Sequence, residues 1–133
     1  MTDFGPKPYV VNIEKETVEN TNYRTTLWTG ENLQLTVMSI EPGDDIGLEV
    51  HDDHDQFLRL EAGKALVQMG PTEDELTFEE TATDDWAVFV PAGTWHNLTN
   101  VGDEALKVYS IYAPPEHAHG TVHVTKSDDD HHH

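Results

Sequence analysis

The 133-residue sequence contains no cysteine. Disulfides, thiolate metal sites, iron–sulfur clusters and cysteine nucleophiles are therefore excluded. Basic residues are also scarce, because 7 Lys and Arg stand against 26 Asp and Glu, for a formal net charge of −19. Such a chain repels phosphate groups, so we expect no binding to nucleic acid or to an anionic membrane.

Long apolar runs are missing as well. None approaches the roughly 20 residues that a membrane helix needs. Residues 1–8 also lack the basic start and apolar stretch of a signal peptide. We therefore expect a cytoplasmic protein. The acidity exceeds what solubility requires, which favours a halophilic adaptation in which salt screens the self-repulsion; ordinary solubility charge is the alternative.

A chain of this length suits a single domain. Convincing helical periodicity is absent, and support for a helical turn over residues 14–20 is weak. Short alternating apolar runs, separated by turn sequences, predict strands instead. The predicted strands are residues 23–29, 33–40, 47–51, 56–60, 65–69, 76–79, 87–90, 95–99 and 106–112. In the second of these, alternation places Leu33, Leu35 and Val37 on one face. Many short strands about ten residues apart predict an all-β sandwich or barrel.

Polar side chains gather around one turn in the middle of the chain. Residues two apart on a strand share a face, so Glu49 and His51 aim a carboxylate and an imidazole together. The polar stretch 52–55 lets the chain reverse and brings Gln56 beside them, and the turn at residues 91–95 delivers His96. These four side chains suit a divalent cation in a barrel mouth; a cluster that is only hydrogen-bonded is the alternative.

The spacing of these residues resembles that of the cupin superfamily, in particular its small single-domain members. The first cupin motif, G-x5-H-x-H-x3–4-E-x6-G, matches Gly43, Glu49, His51, Gln56 and Gly63. The second motif, G-x5-P-x-G-x2-H-x3-N, matches Asp85, Pro91, Gly93, His96 and Asn100. The resemblance implies a single-domain jelly-roll β-barrel over about residues 22–113.

The same resemblance implies that Glu49, His51, Gln56 and His96 are the metal ligands. Three motif positions depart from the family pattern, because Glu49 replaces its first histidine, Gln56 its glutamate and Asp85 an opening glycine. One carboxylate and two imidazoles remain, a set that suits Zn, Mn, Fe, Ni or Co. The sequence does not choose among these metals.

The resemblance leaves several functions open. A metal-dependent enzyme with isomerase-like Lewis-acid chemistry on a small molecule is the first. An Fe(II) dioxygenase is the second, and a non-enzymatic module that binds a metal or a small ligand is the third. The net charge and the few cations favour a neutral substrate over a sugar phosphate.

Other polar residues receive more ordinary interpretations. We expect His54 to be exposed at a turn, with a rim or substrate role as the alternative. We expect Arg59 to face the surface or a dimer contact, and Arg24 could reach a pocket, although its strand has no assigned register. Three histidines in the segment after the last strand, His117, His119 and His123, are interpreted as part of an extended tail packed along the sandwich; a second metal site is the alternative. The tail could also lie over the partner subunit or over the mouth of the site.

The sequence predicts that the chain divides into three parts. Residues 1–21 form an N-terminal arm and first strands, residues 22–113 the barrel, and residues 114–133 a C-terminal extension. The end of this extension, from Ser127 through His131–His133, is expected to be mobile. We expect a homodimer, because pairing closes exposed strand edges.

Overall fold

Nine strands and two short helices make up residues 3–129, the part of the chain that the computed structural model describes. In chain order these elements are α1 (Ile13–Glu19), β1 (Arg24–Thr29), β2 (Gln34–Ile40), β3 (Asp55–Ala62), β4 (Lys64–Gly70), β5 (Phe78–Thr83), β6 (Ala87–Val90), β7 (Trp95–Asn100), β8 (Leu106–Ala113), β9 (Val122–His123) and α2 (Lys126–Asp129). None of the described helices is long and apolar enough to cross a membrane.

The strands form two antiparallel sheets. The larger has the order β6-β3-β8-β2-β1-β9, and the smaller has the order β5-β4-β7. Side chains from both sheets meet in one core, in which Leu58 and Val108 of the larger sheet pack with Val67 and Leu98 of the smaller. This arrangement confirms the predicted all-β jelly-roll fold.

Alternation along the strands decides which side chains enter the core. In β3 the buried positions are Gln56, Leu58 and Leu60, and in β4 they are Ala65, Val67 and Met69. Each fully buried aliphatic side chain contributes about 1.5–3 kcal/mol relative to exposure. The inward positions are apolar in the middle of the barrel, while Gln56 is a polar residue in the same inward series.

Strand β2 departs from the predicted alternation. All seven of its residues are buried, whereas Leu33, expected to share a face with Leu35 and Val37, lies before the strand and is exposed. Met38 and Ile40 point into the barrel, and Leu35 and Val37 belong to a second apolar cluster on the outer face. Both faces of β2 are therefore covered.

The predicted strand at 47–51 is absent as a regular strand. The segment runs beside β7 and makes bridges at Asp45 with Thr99 and at Glu49 with His96. Two residues lie between Ile46 and Glu49, but only one lies between their partners Leu98 and His96. The extra residue bulges the ladder at Gly47, whose φ is +88°.

The N-terminal part contains a helix where strands were expected. Within residues 3–21 the structure has α1 and no strand, so that prediction was wrong. Asn12 caps the helix by accepting a hydrogen bond from the Lys15 N–H at 3.1 Å. Ile13 packs against the outer apolar cluster, and Thr17 is buried. A seven-residue helix is too short to show clear periodicity in the sequence.

The C-terminal extension packs along the sandwich, as expected. Strand β9 pairs with β1, with His123 opposite Arg24. Residues 127–129 belong to α2, and Asp129 is buried, so these three residues form a regular element; their mobility stays a prediction. His131–His133 lie outside the described residues. The three-part division of the chain stays a prediction.

Candidate metal centre

The backbone places Glu49 and His51 at one end of the barrel. Glu49 and His96 exchange two backbone hydrogen bonds, of 3.1 and 2.9 Å. Two residues later, the His51 carbonyl accepts a hydrogen bond of 2.8 Å from the Gly93 N–H. The turn that delivers His96 is therefore tied to the segment that carries the other two side chains.

The side chains of Glu49, His51 and His96 converge. Glu49 Oε1 lies 3.3 Å from His51 Nε2 and 3.7 Å from His96 Nε2. One ligand atom from each residue lies within 4.8 Å of the others, and no other such group of three or more His, Asp or Glu occurs in residues 3–129. Three of the four side chains predicted as ligands thus share one site.

His96 is prepared as a neutral electron-pair donor. Its Nδ1 lies 3.0 Å from the Thr94 carbonyl oxygen, and because a carbonyl only accepts, Nδ1 carries the proton. The lone pair is therefore on Nε2, which is buried and has no hydrogen-bond partner within the described chain. The residue is fully buried, and this burial lowers its pKa. Metal-binding histidines typically have this arrangement.

His51 lies between two carboxylates. Its Nε2 faces Glu49, and its Nδ1 lies 3.5 Å from Glu116 Oε1. Burial disfavours the imidazolium, but Glu49 and Glu116 outweigh it and raise the pKa of His51. Without a metal, a proton on His51 would compensate part of this negative charge.

Gln56 is oriented by the neighbouring strand. It is 4% exposed, and its Nε2 donates a hydrogen bond of 2.8 Å to Ser110 Oγ. Its Oε1 is buried without a hydrogen-bond partner in the described chain. The Glu/His/His group does not include Gln56, yet the amide oxygen is the atom left to accept a further interaction.

The donor set fits a divalent first-row metal. Two imidazole nitrogens and one carboxylate are typical ligands for such ions. Buried nitrogen and oxygen acceptors without partners are unfavourable, and a cation among His51, His96 and Glu49 would satisfy them. The cluster could therefore hold a metal ion.

The comparisons agree with this fold. A family model described as "Cupin domain" matches residues 36–112. The chain belongs to the cupin family.

Relatives of this cupin include the uncharacterized protein YrkC of Bacillus subtilis, which is 56% identical over 128 residues. That match covers 96% of this cupin and 69% of YrkC. The uncharacterized protein L612 of Acanthamoeba polyphaga mimivirus is 38% identical, with 89% of this chain and 72% of L612 covered. The crystal structure of BH2720 from Bacillus halodurans superposes with a TM-score of 0.97 at 58% identity, covering 98% of this chain and 99% of that one.

The mouth of this cupin barrel contains a cavity of about 270 Å³. Most of its wall comes from the C-terminal extension rather than from the family-matched region. The lining residues are Glu49, Glu116, His117, Ala118, Thr121, His123 and Asp129. The sequence left a position of the tail over the site mouth as one of several alternatives, because no local pattern links these extension residues to the barrel mouth.

His54 and Glu116 extend the polar network around His51. His54 Nε2 lies 3.0 Å from the Pro115 carbonyl oxygen and 3.6 Å from Glu116 Oε1. Its side chain is 11% exposed, so the expectation that His54 is exposed was wrong. The C-terminal extension covers it.

Tyr112 is a further residue that the sequence analysis missed. It is buried, and its ring meets the rings of His51 and His117 edge-on, with centroids 5.9 and 5.3 Å apart. Burial raises the pKa of its hydroxyl to about 12. Tyr112 therefore stays neutral at physiological pH.

The three histidines of the extension do not converge. His119 Nε2 lies 2.7 Å from the Gly5 carbonyl oxygen, near Asp3. His117 packs against Tyr112, and His123 contacts Arg24. The alternative of a second metal site formed by all three histidines therefore has no support in the described residues.

The two arginines have opposite environments. Arg59 contacts Glu61 and Asp85 and is 40% exposed, as the surface prediction expected. Arg24 is paired with Met38 across β1 and β2 and is one of the largest fully buried side chains. Its guanidinium lies behind Asp129, at the barrel mouth.

Proposed function

We propose that this cupin binds one divalent first-row metal ion through Glu49, His51, Gln56 and His96, and that it acts on a small polar molecule in the barrel mouth. The observation that carries the proposal is the convergence of Glu49, His51 and His96, with the lone pair of a buried His96 directed into the group. Zn, Mn, Fe, Ni and Co all suit this donor set.

A bound divalent ion supplies Lewis acidity toward an oxygen atom of the substrate. The chain's residues prepare the site for it. Glu49 contributes the negative charge that balances the ion, and Thr94 fixes the tautomer of His96. Tyr112 and the C-terminal extension cover the site and limit water around the reacting groups. Isomerase-like chemistry on a small molecule is the activity that this arrangement supports best.

A second candidate is an Fe(II)-dependent dioxygenase. Two histidines and one carboxylate, with positions left for other ligands, are the donors that non-haem iron oxygenases use. Glu49, His51 and His96 provide this set. The nature of the metal separates the two candidates, since oxygen chemistry requires iron in this case.

Elemental analysis tests the metal site. The protein is purified without chelator and without a nickel column, next to the His96→Ala variant. His119→Ala is the matched control, because His119 lies outside the cluster. We expect one equivalent of metal in the wild type and in His119→Ala, and a loss of at least tenfold in metal affinity in His96→Ala. Absence of metal from the wild type, even after reconstitution, would contradict the proposal.

Activity assays follow from the metal. Iron would direct the work to oxygen uptake with small organic substrates, and zinc, manganese, nickel or cobalt to isomerase panels. Metal binding without turnover in either panel would favour the non-enzymatic binding module over both enzymes.

We also propose that the protein is a homodimer that pairs through β6. This strand ends the larger sheet, and Phe89 on it is 70% exposed next to Phe57. Trp86 and Phe78 continue the exposed apolar surface. The mass in solution tests this proposal by light scattering: Phe89→Glu should yield a monomer, and Val10→Glu, at a fully exposed site elsewhere, should not. A monomeric wild type would contradict it.

A further inference from the structure

Arg24 is the buried cation nearest the barrel mouth. It is 2% exposed, and its Nη1 lies 2.9 Å from both Asp129 Oδ1 and His123 Nδ1. A buried guanidinium needs oxygen partners, because an unpaired buried charge is strongly unfavourable. Here the partner carboxylate comes from the chain's own C-terminal extension.

Asp129 satisfies the guanidinium only in part. Arg24 Nε is buried with no hydrogen-bond partner within residues 3–129, and Nη2 reaches the sulfur of Met38 at 3.8 Å. Arginine binds carboxylates best through two parallel N–H···O bonds. The Asp129 contact runs through a single nitrogen, Nη1, so the donors of the guanidinium are not saturated.

Asp129 also stands between Arg24 and the cavity. It lines the cavity together with Glu49 of the metal cluster, whereas Arg24 does not. Removal of the Asp129 carboxylate would therefore open Arg24 to the same space, which Glu49 and His123 already line. A ligand in this cavity would contact the metal site on one side and the guanidinium on the other.

The segment that carries Asp129 is held mainly by charges. Helix α2 has four residues, and Lys126 pairs with Asp44 and Asp45 on the barrel. Val124, just before the helix, is exposed and gives it no apolar anchor. Ion pairs exchange with other ions more readily than packed apolar contacts separate, since salt screens them.

We propose that Arg24 and His123 form a carboxylate-binding subsite of this cavity, and that Asp129 occupies it in competition with a small carboxylate ligand. This inference deepens the proposed function, because it rests on the cavity being the ligand pocket of the metal site and names small carboxylates as the ligand class. Composition favours a neutral substrate, but Arg24 supplies a local positive charge that composition does not reveal.

Formate tests the subsite in metal-free protein. Asp129→Ala removes the carboxylate group beside Arg24. Formate is a free carboxylate that can take its place. With chloride at equal ionic strength as reference, we expect formate to raise the Tm of Asp129→Ala in proportion to the logarithm of its concentration above Kd, by roughly 5 °C at ten times its Kd. The matched control is Asp128→Ala, which loses the hydrogen bonds that the Val124 and Thr125 N–H groups donate to Asp128 Oδ2 but keeps the Asp129 carboxylate. An equal response in both variants, or none in Asp129→Ala, would overturn the proposal.

A second experiment uses Asp129→Asn, which preserves the size of the side chain. A tethered carboxylate acts at an effective concentration of millimolar or more. Pyruvate should therefore bind Asp129→Asn at least about tenfold more tightly than it binds the wild type, as measured by calorimetry on metal-loaded protein. Equal affinities in the two proteins would show that Asp129 does not compete for the ligand. Because the formate experiment needs no metal, its outcome is independent of whether the metal proposal holds.

Discussion

Gln34 connects the barrel to the C-terminal extension, and its replacement by methionine should loosen that connection. Its side chain is 0% exposed. Its Nε2 donates to the His117 carbonyl at 2.7 Å and to Thr29 Oγ1 at 3.0 Å. Its Oε1 accepts from the N–H groups of Glu116 and His117, at 3.1 and 2.9 Å. Methionine has a similar volume, so Gln34→Met removes the hydrogen bonds without leaving a large cavity.

The expected loss in the free energy of unfolding follows from the groups that lose a hydrogen-bond partner. Three backbone groups, the two N–H groups and the His117 carbonyl, lose their bond to Gln34. Each partly buried group left unsatisfied costs about 1–2 kcal/mol. We therefore expect the free energy of unfolding to fall by about 3–6 kcal/mol.

Urea denaturation measures this change. Gln68→Met is the matched control, because Gln68 makes one exposed hydrogen bond of 3.4 Å to Glu79, and its loss should change stability by less than about 0.5 kcal/mol. A loss below about 1 kcal/mol in Gln34→Met would refute the reasoning, because it would show that Gln34 does not hold the extension.

Further predictions concern pH, the first helix and salt. Burial opposes ionisation of Asp3, but hydrogen bonds from Thr29, Gly120 and Gly5 outweigh it and lower its pKa. Its stabilising contribution is therefore present above about pH 4 and is lost as the pH falls through the folded-state pKa, so Asp3→Asn should lose less stability than the wild type on acid titration. Asn12→Ala removes the α1 cap and should destabilise by about 1 kcal/mol in urea; an unchanged midpoint would contradict that role. Since the net charge is −19, the Tm should rise with KCl from 0.1 to about 2 M, and a fall would oppose salt adaptation.

The sequence predicted the barrel well where one face of a strand is buried and the other is open. In β3 and β4 the period-two pattern appears directly in the burial of alternate residues. Motif spacing also predicted that Glu49, His51 and His96 converge, because both motifs belong to neighbouring segments bridged by backbone hydrogen bonds.

Asp85 shows that a motif departure can have a backbone explanation. It stands at the opening glycine position of the second motif, and its φ is +72°. This left-handed conformation favours glycine, but aspartate adopts it more readily than most residues. The departure therefore keeps the turn and does not touch the metal cluster.

The sequence left open whether the C-terminal extension forms a wall of the site. Arg24 and His123 are 99 positions apart, and the pairing of β9 with β1 involves only two residues. Such short elements have no periodicity, and contacts between distant charges leave no local signal. The sequence did not predict the outer apolar cluster under α1 for a related reason, since this cluster requires both faces of β2 to be covered.

Anomalous diffraction from crystals of the metal-loaded protein tests the central claim most directly. We predict one peak at the absorption edge of the bound metal, in contact with Glu49 and with Nε2 of His51 and His96. No peak at that position in protein shown to contain stoichiometric metal, or a peak at other histidines alone, would contradict the assignment of this cluster as the metal site.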